Sequence, residues 1–401
     1  MTAIGQETTS ATEQSVRDLA RRFEFAFVGV TPAEPSSNSG YIHQWLADGR
    51  HGEMHYLARN VAARIDARQL VAGARTVICV ADRYHRAPTG EYHGDTTGAN
   101  NPTDATTDGL GAAPALSPSG RIARYAWSDD YHKIIKKRLH HLADALRERW
   151  PGHVYKSAVD TAPILEREHA VGAGLGWIGK HTLLIHPDAG SWLLLGQIVT
   201  TLPVAKRDGE QPIVDHCGTC TRCIDACPTA CIEPQGYRLD AKRCISYLTI
   251  EHRSEVDPDL HDSMGDWVAG CDICQEVCPF NRERHEPQGG GDAAEDKPSR
   301  AGGVACHPAY ALRPPAPHVD LLEVLDWSEQ DRRAAFERSA LKRIKLDQMK
   351  RNALIAAGNA LDGDCRETLR RRIQAIGSDP GASDLLRRTA EQVMARGRAP
   401  S

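Results

Sequence analysis

The 401-residue chain has no apolar stretch approaching the roughly 18 residues of a membrane-spanning helix, which rules that architecture out. It also lacks an excess of either charge. A formal net charge of −4 excludes a surface that is basic all over, so a polyanionic partner must be met by a local patch. No export signal is expected either. Arg21-Arg22-Phe23 has the form of a twin-arginine signal, but the apolar segment behind it, 25–30, is short and ends before Pro32. Val16, Leu19, Ala20 and Phe23 fall instead on one helical face leading into a strand. These absences lead to the expectation of a cytoplasmic protein with no membrane association.

Hydrophobic residues make up 41% of the chain and charged residues 25%, ordinary proportions for a folded protein of two or three domains. The twelve cysteines are the exception, and nine of them lie between positions 217 and 278. In a reducing compartment, thiols crowded in this way are better read as metal ligands than as disulfides.

Cys217, Cys220, Cys223 and Cys227 stand at C-x2-C-x2-C-x3-C, followed by Pro228. This is the bacterial ferredoxin spacing, in which three cysteines wrap one 4Fe–4S cubane and the fourth reaches across to another. Cys271, Cys274 and Cys278, followed by Pro279, supply three more thiolates, and Cys244 completes eight. Cross-ligation then gives cluster one Cys217, Cys220, Cys223 and Cys278. Cluster two receives Cys227, Cys244, Cys271 and Cys274. The second set departs from a plain ferredoxin repeat, since one cysteine is displaced to position 244. Zinc ribbons also use C-x2-C pairs, but two Cys-Pro endings and a count of eight favour iron–sulfur. Cys79 reads as a small core residue. Nothing in the sequence gives Cys231, Cys306 or Cys365 a role.

The first half alternates short apolar runs with amphipathic stretches, as an α/β construction does. Residues 76–81 (TVICVA) and 191–200 (SWLLLGQIVT) read as buried strands. Residues 131–149 read as a helix with Ile135, Leu139, Leu142 and Leu146 on one face. Residues 86–120, rich in Gly, Thr, Pro, Asn and Asp, read as a disordered insertion. The expected order is an α/β (α+β) domain over 1–205, a ferredoxin-like two-cluster domain over 206–286, a linker over 287–317 and a helical domain over 318–401. In the last, segments 329–340, 347–361, 366–376 and 385–395 suggest the stacked helix pairs of a short HEAT-like region. Between positions 332 and 372, twelve Lys and Arg oppose five Asp and Glu. That excess suits a phosphate-binding face or simply a solvated helix surface.

Clusters move single electrons, so a reductase built around them needs a second centre and a proton source. The segment 154–178 suggests a strand ending at Asp160 and a helix capped by Thr161, with Pro163 in its first turn. A carboxyl at the end of an α/β strand points into the ligand cleft. Shielded by a large cofactor, its pKa would rise until it donates a proton near neutrality. A helix-capping aspartate is the plainer alternative. Gly172, Gly174, Gly176 and Gly179 superficially match a dinucleotide fingerprint, but they follow no strand directly and lack the downstream acid. They suggest a tight turn that lets backbone approach a bulky cofactor.

Four motifs, VDTAPILERE (159–168), AGLGWIGKHTLLIHPDAGSWLLLG (173–196), RCISYLTIE (243–251) and GCDICQEVCPFNR (270–282), together resemble epoxyqueuosine reductases. RYAWSDDYHKIIKKRL (124–139) and the 54–66 stretch fit the same family. The resemblance covers nearly the whole chain apart from 86–120 and 287–317. It implies a cobalamin-dependent enzyme that reduces epoxyqueuosine to queuosine at the tRNA wobble position, in tRNAs with GUN anticodons. It further implies cob(I)alamin fed by two 4Fe–4S clusters from an external electron donor, in a monomer with a HEAT-like C-terminal region. Asp160 takes the position of the proton donor, and Arg64, Leu184, Leu195, Ser246 and Asp272 take cofactor-contact positions. The base-off motif D-x-H-x-x-G is absent, since Asp130-Tyr131-His132 is followed by Ile135 where the glycine would stand. That absence fits a family that holds cobalamin base-off without a histidine on cobalt. Lys133, Lys136, Lys137, Arg138 and the basic C-terminal helices are the candidates for gripping tRNA phosphates. Rival readings are a reductive dehalogenase-like reductase of a small molecule, and a plain electron carrier that would leave the α/β half without a purpose.

Overall fold

The computed structural model describes residues 11–85, 118–206, 213–281, 304, 306–315, 317–361 and 365–396. Its strands are β1 (Phe27–Pro32), β2 (Thr76–Arg83), β3 (Ser119–Ile122), β4 (Tyr155–Ala158), β5 (Trp177–Ile178), β6 (Leu184–Ile185), β7 (Leu193–Thr200), β8 (Trp267–Ala269) and β9 (His318–Asp320). Four of them form a sheet in the order β1-β2-β7-β4. Every neighbouring pair is antiparallel. β2 is buried along its whole length because helices cover both faces, which explains its unbroken apolar run. On one face the helix Tyr131–Arg149 presents Ile135, Leu139, Leu142 and Leu146, as its periodicity predicts. The helix Glu13–Arg21 packs beside it, burying Val16 and Ala20, so Arg21-Arg22 closes a helix ahead of a strand. On the other face lies the helix Glu166–Gly172, with Ala170 and Ala173 against Cys79 and Val199.

The sheet is thus α+β. Its antiparallel order removes the ground for placing Asp160 by the parallel-sheet rule, so that residue must be sited by its own contacts. The glycine run also serves another purpose than the one expected. A Cβ on Gly172 would lie 2.6 Å from Thr31 Oγ1, and one on Gly176, where φ is +145°, would lie 2.1 Å from the Ile185 carbonyl oxygen. The close approach at Gly172 is of a helix to β1, and that at Gly176 is of the chain entering β5 to β6.

A second, three-stranded sheet has the order β8-β3-β9. Its strands come from the cysteine-rich segment, the first half and the C-terminal segment respectively. Ser119 and Gly120, assigned to the insertion by composition, belong to β3; positions 86–117 lie outside the described residues. Gly120 is pinned there, since a Cβ would come within 2.5 Å of Val268 Cγ1. Ile250, Val268 and Ala269 share one core with Leu321, Phe336, Met349 and Leu354 of the C-terminal segment. Asn352 Nδ2 donates to the carbonyls of Thr249 and Val268, both at 2.8 Å. Of the stretch expected as a linker, 287–303 lies outside the described residues, while Cys306 and Tyr310 are buried in the first core. Tyr310 Oη donates to Asp82 Oδ2 at 2.7 Å. The helices Glu329–Phe336, Leu346–Asn359, Arg366–Ser378 and Asp384–Arg396 follow the expected succession, and the last three pack on one another. Among the described residues no helix is long and apolar enough to cross a membrane.

Candidate active site

β4 ends at Ala158, and the helix expected to start at Thr161 starts instead at Glu166. Thr161 caps nothing, since its Oγ1 donates to the Val159 carbonyl. Pro163 disfavours helical backbone at Ala162 and so delays the helix. Residues 159–165 form a loop, anchored by buried Ile164, in which Asp160 takes a φ of +30°. A non-glycine residue there is strained by roughly 1–3 kcal/mol and persists only when its surroundings hold it. Here the Asp160 N–H donates to Glu166 Oε1 at 2.6 Å. The capping alternative for Asp160 is thereby removed.

The Asp160 side chain faces the N-terminal end of the helix Tyr131–Arg149. His132 Nε2 lies 2.8 Å from Asp160 Oδ2, and His132 Nδ1 lies 2.7 Å from Asp130 Oδ1. Asp130 also accepts the His132 N–H as the helix cap. Tyr131 stacks on the imidazole with ring centroids 4.0 Å apart. Lys342, from the C-terminal segment, lies 3.5 Å from Asp130 Oδ2. Its neighbour Arg343 pairs with Glu251 at 2.9 Å and is close enough for its charge to act on Asp160.

Electrostatics follow from this packing. Burial alone would depress the His132 imidazolium, but hydrogen bonds to Asp130 and Asp160 outweigh it and raise the pKa from 6.5 to about 9. Burial would raise Asp160, yet the hydrogen bond and charge of His132, with Arg343 and Tyr131, bring its carboxyl below the usual range. The expected upward shift of Asp160 is therefore reversed, because a cation stands beside it. Glu166 goes the other way: burial and the Asp160 charge push it to about 8. Arg64 is lowered by burial, with Tyr56, Asp160 and Glu166 opposing that shift.

Asp160 exposes 44% of its side chain although protein crowds it on most sides, so a ligand can reach its carboxyl. Arg64 does not pair with Asp66, which is held by Arg68 at 2.9 Å, and its buried Nε has no hydrogen-bond partner. Gln197 Oε1 and Ser157 Oγ, on β7 and β4 behind the loop, are likewise orphaned. Unpaired buried donors and acceptors of this kind fit a large ligand that carries both amide oxygens and amide N–H groups, as a corrinoid does. Leu195 is half-buried on β7. Ser246 is half-buried on the helix Ile245–Ile250, and its N–H points at Cys244. Leu184 and Asp272 are both buried. Leu184 is 3% exposed and packs in the core, and Asp272 is 2% exposed. Asp272 Oδ2 accepts the Arg124 N–H at 2.7 Å.

The cysteines form two adjoining groups. Cys278 feels the charges of Cys217, Cys223 and Cys220. Cys271 and Cys274 both face Cys244, and Cys274 also faces Cys223 and Cys227. The grouping is compatible with cross-ligation, and backbone N–H groups of Ser246, Tyr247 and Ile273 point at Cys244 and Cys271, as cluster thiolates require. Sequence spacing missed Cys231. Its Sγ lies 3.4 Å from Cys227 Sγ, and it hydrogen-bonds Cys244. Its position within the cysteine-dense stretch was the available signal.

The basic residues divide. Lys133, Lys136 and Lys137 are exposed. Arg138 is not available for phosphate, since it pairs with Asp82, donates to the Phe23 carbonyl and covers the Phe25 ring. Arg332 is bound to the Lys342 and Ile344 carbonyls, and fully buried Arg351 to those of His252 and Ser254. Part of the positive run is therefore internal scaffolding.

A family model described as epoxyqueuosine reductase QueG, DUF1730, matches residues 64–161, and one described as a 4Fe–4S double cluster binding domain matches 216–281. The first match contains Arg64, Asp130, His132 and Asp160. The epoxyqueuosine reductase of Xanthomonas campestris is 36% identical over 346 residues, covering 86% of this chain and 86% of that protein. That of Escherichia coli is 33% identical over 348 residues, 86% of this chain and 81% of its own. Among solved structures, an epoxyqueuosine reductase with an epoxyqueuosine-modified tRNA-Tyr stem loop superposes with a TM-score of 0.75 at 22% identity, covering 96% of this chain and 89% of that one. Another, from Bacillus subtilis with an aspartate-bearing catalytic loop swung out of the active site, has a TM-score of 0.74 at 20% identity, with coverage of 96% and 89%.

Proposed function

The chain belongs to the epoxyqueuosine reductase family and is an oxidoreductase that reduces epoxyqueuosine to queuosine in tRNA, and we propose that Asp160 is its proton donor. The observation that carries the reading is the likeness to named relatives along most of the chain. It is supported by two family matches that take in both the Asp160 site and the cysteine groups.

When bound, cobalamin supplies a strong cobalt nucleophile for the epoxide carbon, and two 4Fe–4S clusters supply its electrons one at a time from an external donor. Cys217, Cys220, Cys223 and Cys278 would hold one cluster, and Cys227, Cys244, Cys271 and Cys274 the other. Arg64, Leu195 and Ser246 would meet the corrinoid through side chains, Leu184 and Asp272 through backbone. Asp160 hands a proton to the epoxide oxygen as the ring opens. Arg64 and Arg343 offset the carboxylate charge left behind. Exposed Lys133, Lys136 and Lys137 and the outward-facing C-terminal cations hold tRNA phosphates, while the HEAT-like helices and the Asp160 site accept the wobble nucleoside turned out of its stack. The protein acts as a monomer in the cytoplasm.

The deciding experiment is anaerobic reconstitution with cobalamin and a low-potential reductant, followed by incubation with epoxyqueuosine-bearing tRNA and mass spectrometry of the digested nucleosides. Cobalamin-dependent loss of one oxygen from that nucleoside is the expected result. An unchanged nucleoside, with clusters and cobalamin verified as bound, would overturn the tRNA assignment in favour of a small-molecule reductase.

A further inference from the structure

Converting an epoxide to an alkene breaks two C–O bonds, forms one C=C bond and releases the oxygen as water. Each turnover therefore consumes two electrons and two protons. The electrons come from the one-electron donor through the clusters, but Asp160 carries one proton at a time. A second proton must reach the same oxygen before it departs, and the neighbours of Asp160 must pass it on.

Two side chains bond the Asp160 carboxyl, Tyr131 and His132, and burial holds the Tyr131 phenol protonated well above its ordinary range, which leaves His132 for this. His132 Nε2 is 2.8 Å from Asp160 Oδ2, and its opposite nitrogen is 2.7 Å from Asp130 Oδ1. Asp130 is 4% exposed and fixed by its own bond to the helix N-terminus. Tyr131 stacking fixes the ring plane. The imidazole keeps 23% of its side chain exposed, so it can recharge from solvent while Asp160 is covered by substrate. Building on the reading of Asp160 as proton donor, we propose that His132 is the proton relay of this site: its Nε2 proton passes to the Asp160 carboxylate, which delivers it to the oxygen of the opening epoxide, and a second proton follows the same route to the departing hydroxyl. After each transfer the imidazole is left neutral, with its Nδ1–H held by Asp130, and takes a proton from water, so two such resets supply the two protons of a turnover. Asp130 is a positioning residue in this scheme.

The charge environment suits the transfer. Asp130 and Tyr131 face the ring from its own helix, Asp160 and Glu166 from the loop and the helix behind it, and Lys342 and Arg343 from the C-terminal segment. Two carboxylates in direct contact keep the imidazole charged at neutral pH, ready to reload Asp160.

The test uses full-length, cluster- and cobalamin-loaded enzyme with epoxyqueuosine-bearing tRNA. His132→Gln should lower kcat by about 100-fold, with KM for tRNA, iron content and corrinoid absorbance unchanged. Wild type should lose rate as pH rises through about 9, and that loss should vanish in the variant. Imidazole added to His132→Gly should restore activity in proportion to its protonated fraction. In cobalamin-free protein, carbon-13 histidine NMR should show the His132 titration moving to lower pH in Asp160→Asn. Wild-type kcat and pH profile in His132→Gln would overturn the relay. So would a loss of rate without imidazole rescue and with an unchanged pH profile, since that describes packing alone. If wild type itself left the nucleoside unaltered, the reductase reading would fall, and an unmoved His132 titration in Asp160→Asn would separately dismiss the coupling.

Discussion

The backbone N–H of Asp160 donates to Glu166 Oε1 at 2.6 Å, so the carboxyl that shapes the catalytic loop is six residues from the one that acts in it. Glu166 holds a proton up to about pH 8, whereas an unfolded glutamate releases it near 4.5. The folded chain therefore binds the extra proton between those values, and stability falls as pH rises through that window. His132 adds the same sign: its contribution is complete below pH 6.5 and lost as pH rises through about 9. The melting temperature should drop from pH 6 to pH 9, and Glu166→Gln should flatten part of that slope and exceed wild type at pH 9. Parallel slopes for the two proteins in thermal scans would contradict this.

Asp160→Asn should keep the loop, because the N–H bond to Glu166 remains, yet it removes the transferable proton. Turnover should fall by roughly 10²–10⁴-fold with iron and corrinoid content intact. Nucleoside mass spectrometry gives the rate, and an undiminished rate would take Asp160 out of the mechanism.

Cys227 and Cys231 lie 3.4 Å apart, so either sulfur is placed to reach the second cluster. The cross-ligated assignment expects Cys231→Ala to retain the full iron of two clusters and Cys227→Ala to lose part of it. Iron and acid-labile sulfide assays on anaerobically purified variants would reverse the assignment if the losses were exchanged.

Arg351 is fully buried, and its guanidinium satisfies carbonyls of His252 and Ser254. Arg351→Met should strand those acceptors and lower stability by about 3 kcal/mol, because buried carbonyls without donors cost on the order of 1–3 kcal/mol each. Urea denaturation measures it, and a change under ~0.5 kcal/mol, the range of ordinary surface substitutions, would mean that water replaces the arginine.

Lys133, Lys136 and Lys137 are exposed, whereas Arg138 is tied to Asp82. If the three lysines meet phosphates, replacing all of them with alanine should reduce the slope of log K against log salt by about 2, at roughly 0.7 per phosphate for single strands. An unchanged slope in filter-binding titrations would move the tRNA grip elsewhere. Arg138→Ala should instead act on stability.

What the sequence determined by itself was whatever short-range rules govern. Cysteines two or three residues apart must curl around a common centre, so the double-cluster motif was legible before any fold was known. The helix Tyr131–Arg149 was legible from its 3.6-residue stripe, and Asp160 stood out in a motif shared with a family. Tertiary structure alone decided the rest. His132 and Asp160 are 28 residues apart and meet because a helix N-terminus is laid against the loop after β4. The sign of the Asp160 shift follows from that contact and not from burial, so composition could not supply it. Gly172 proved to seat a helix against β1 and Gly176 to bring the chain close to β6, and Arg332 and Arg351 turned inward, because which neighbour a side chain meets is set by long-range packing. The three-stranded sheet makes the same point, since its strands come from segments that look like separate domains in one dimension and bury one core in three.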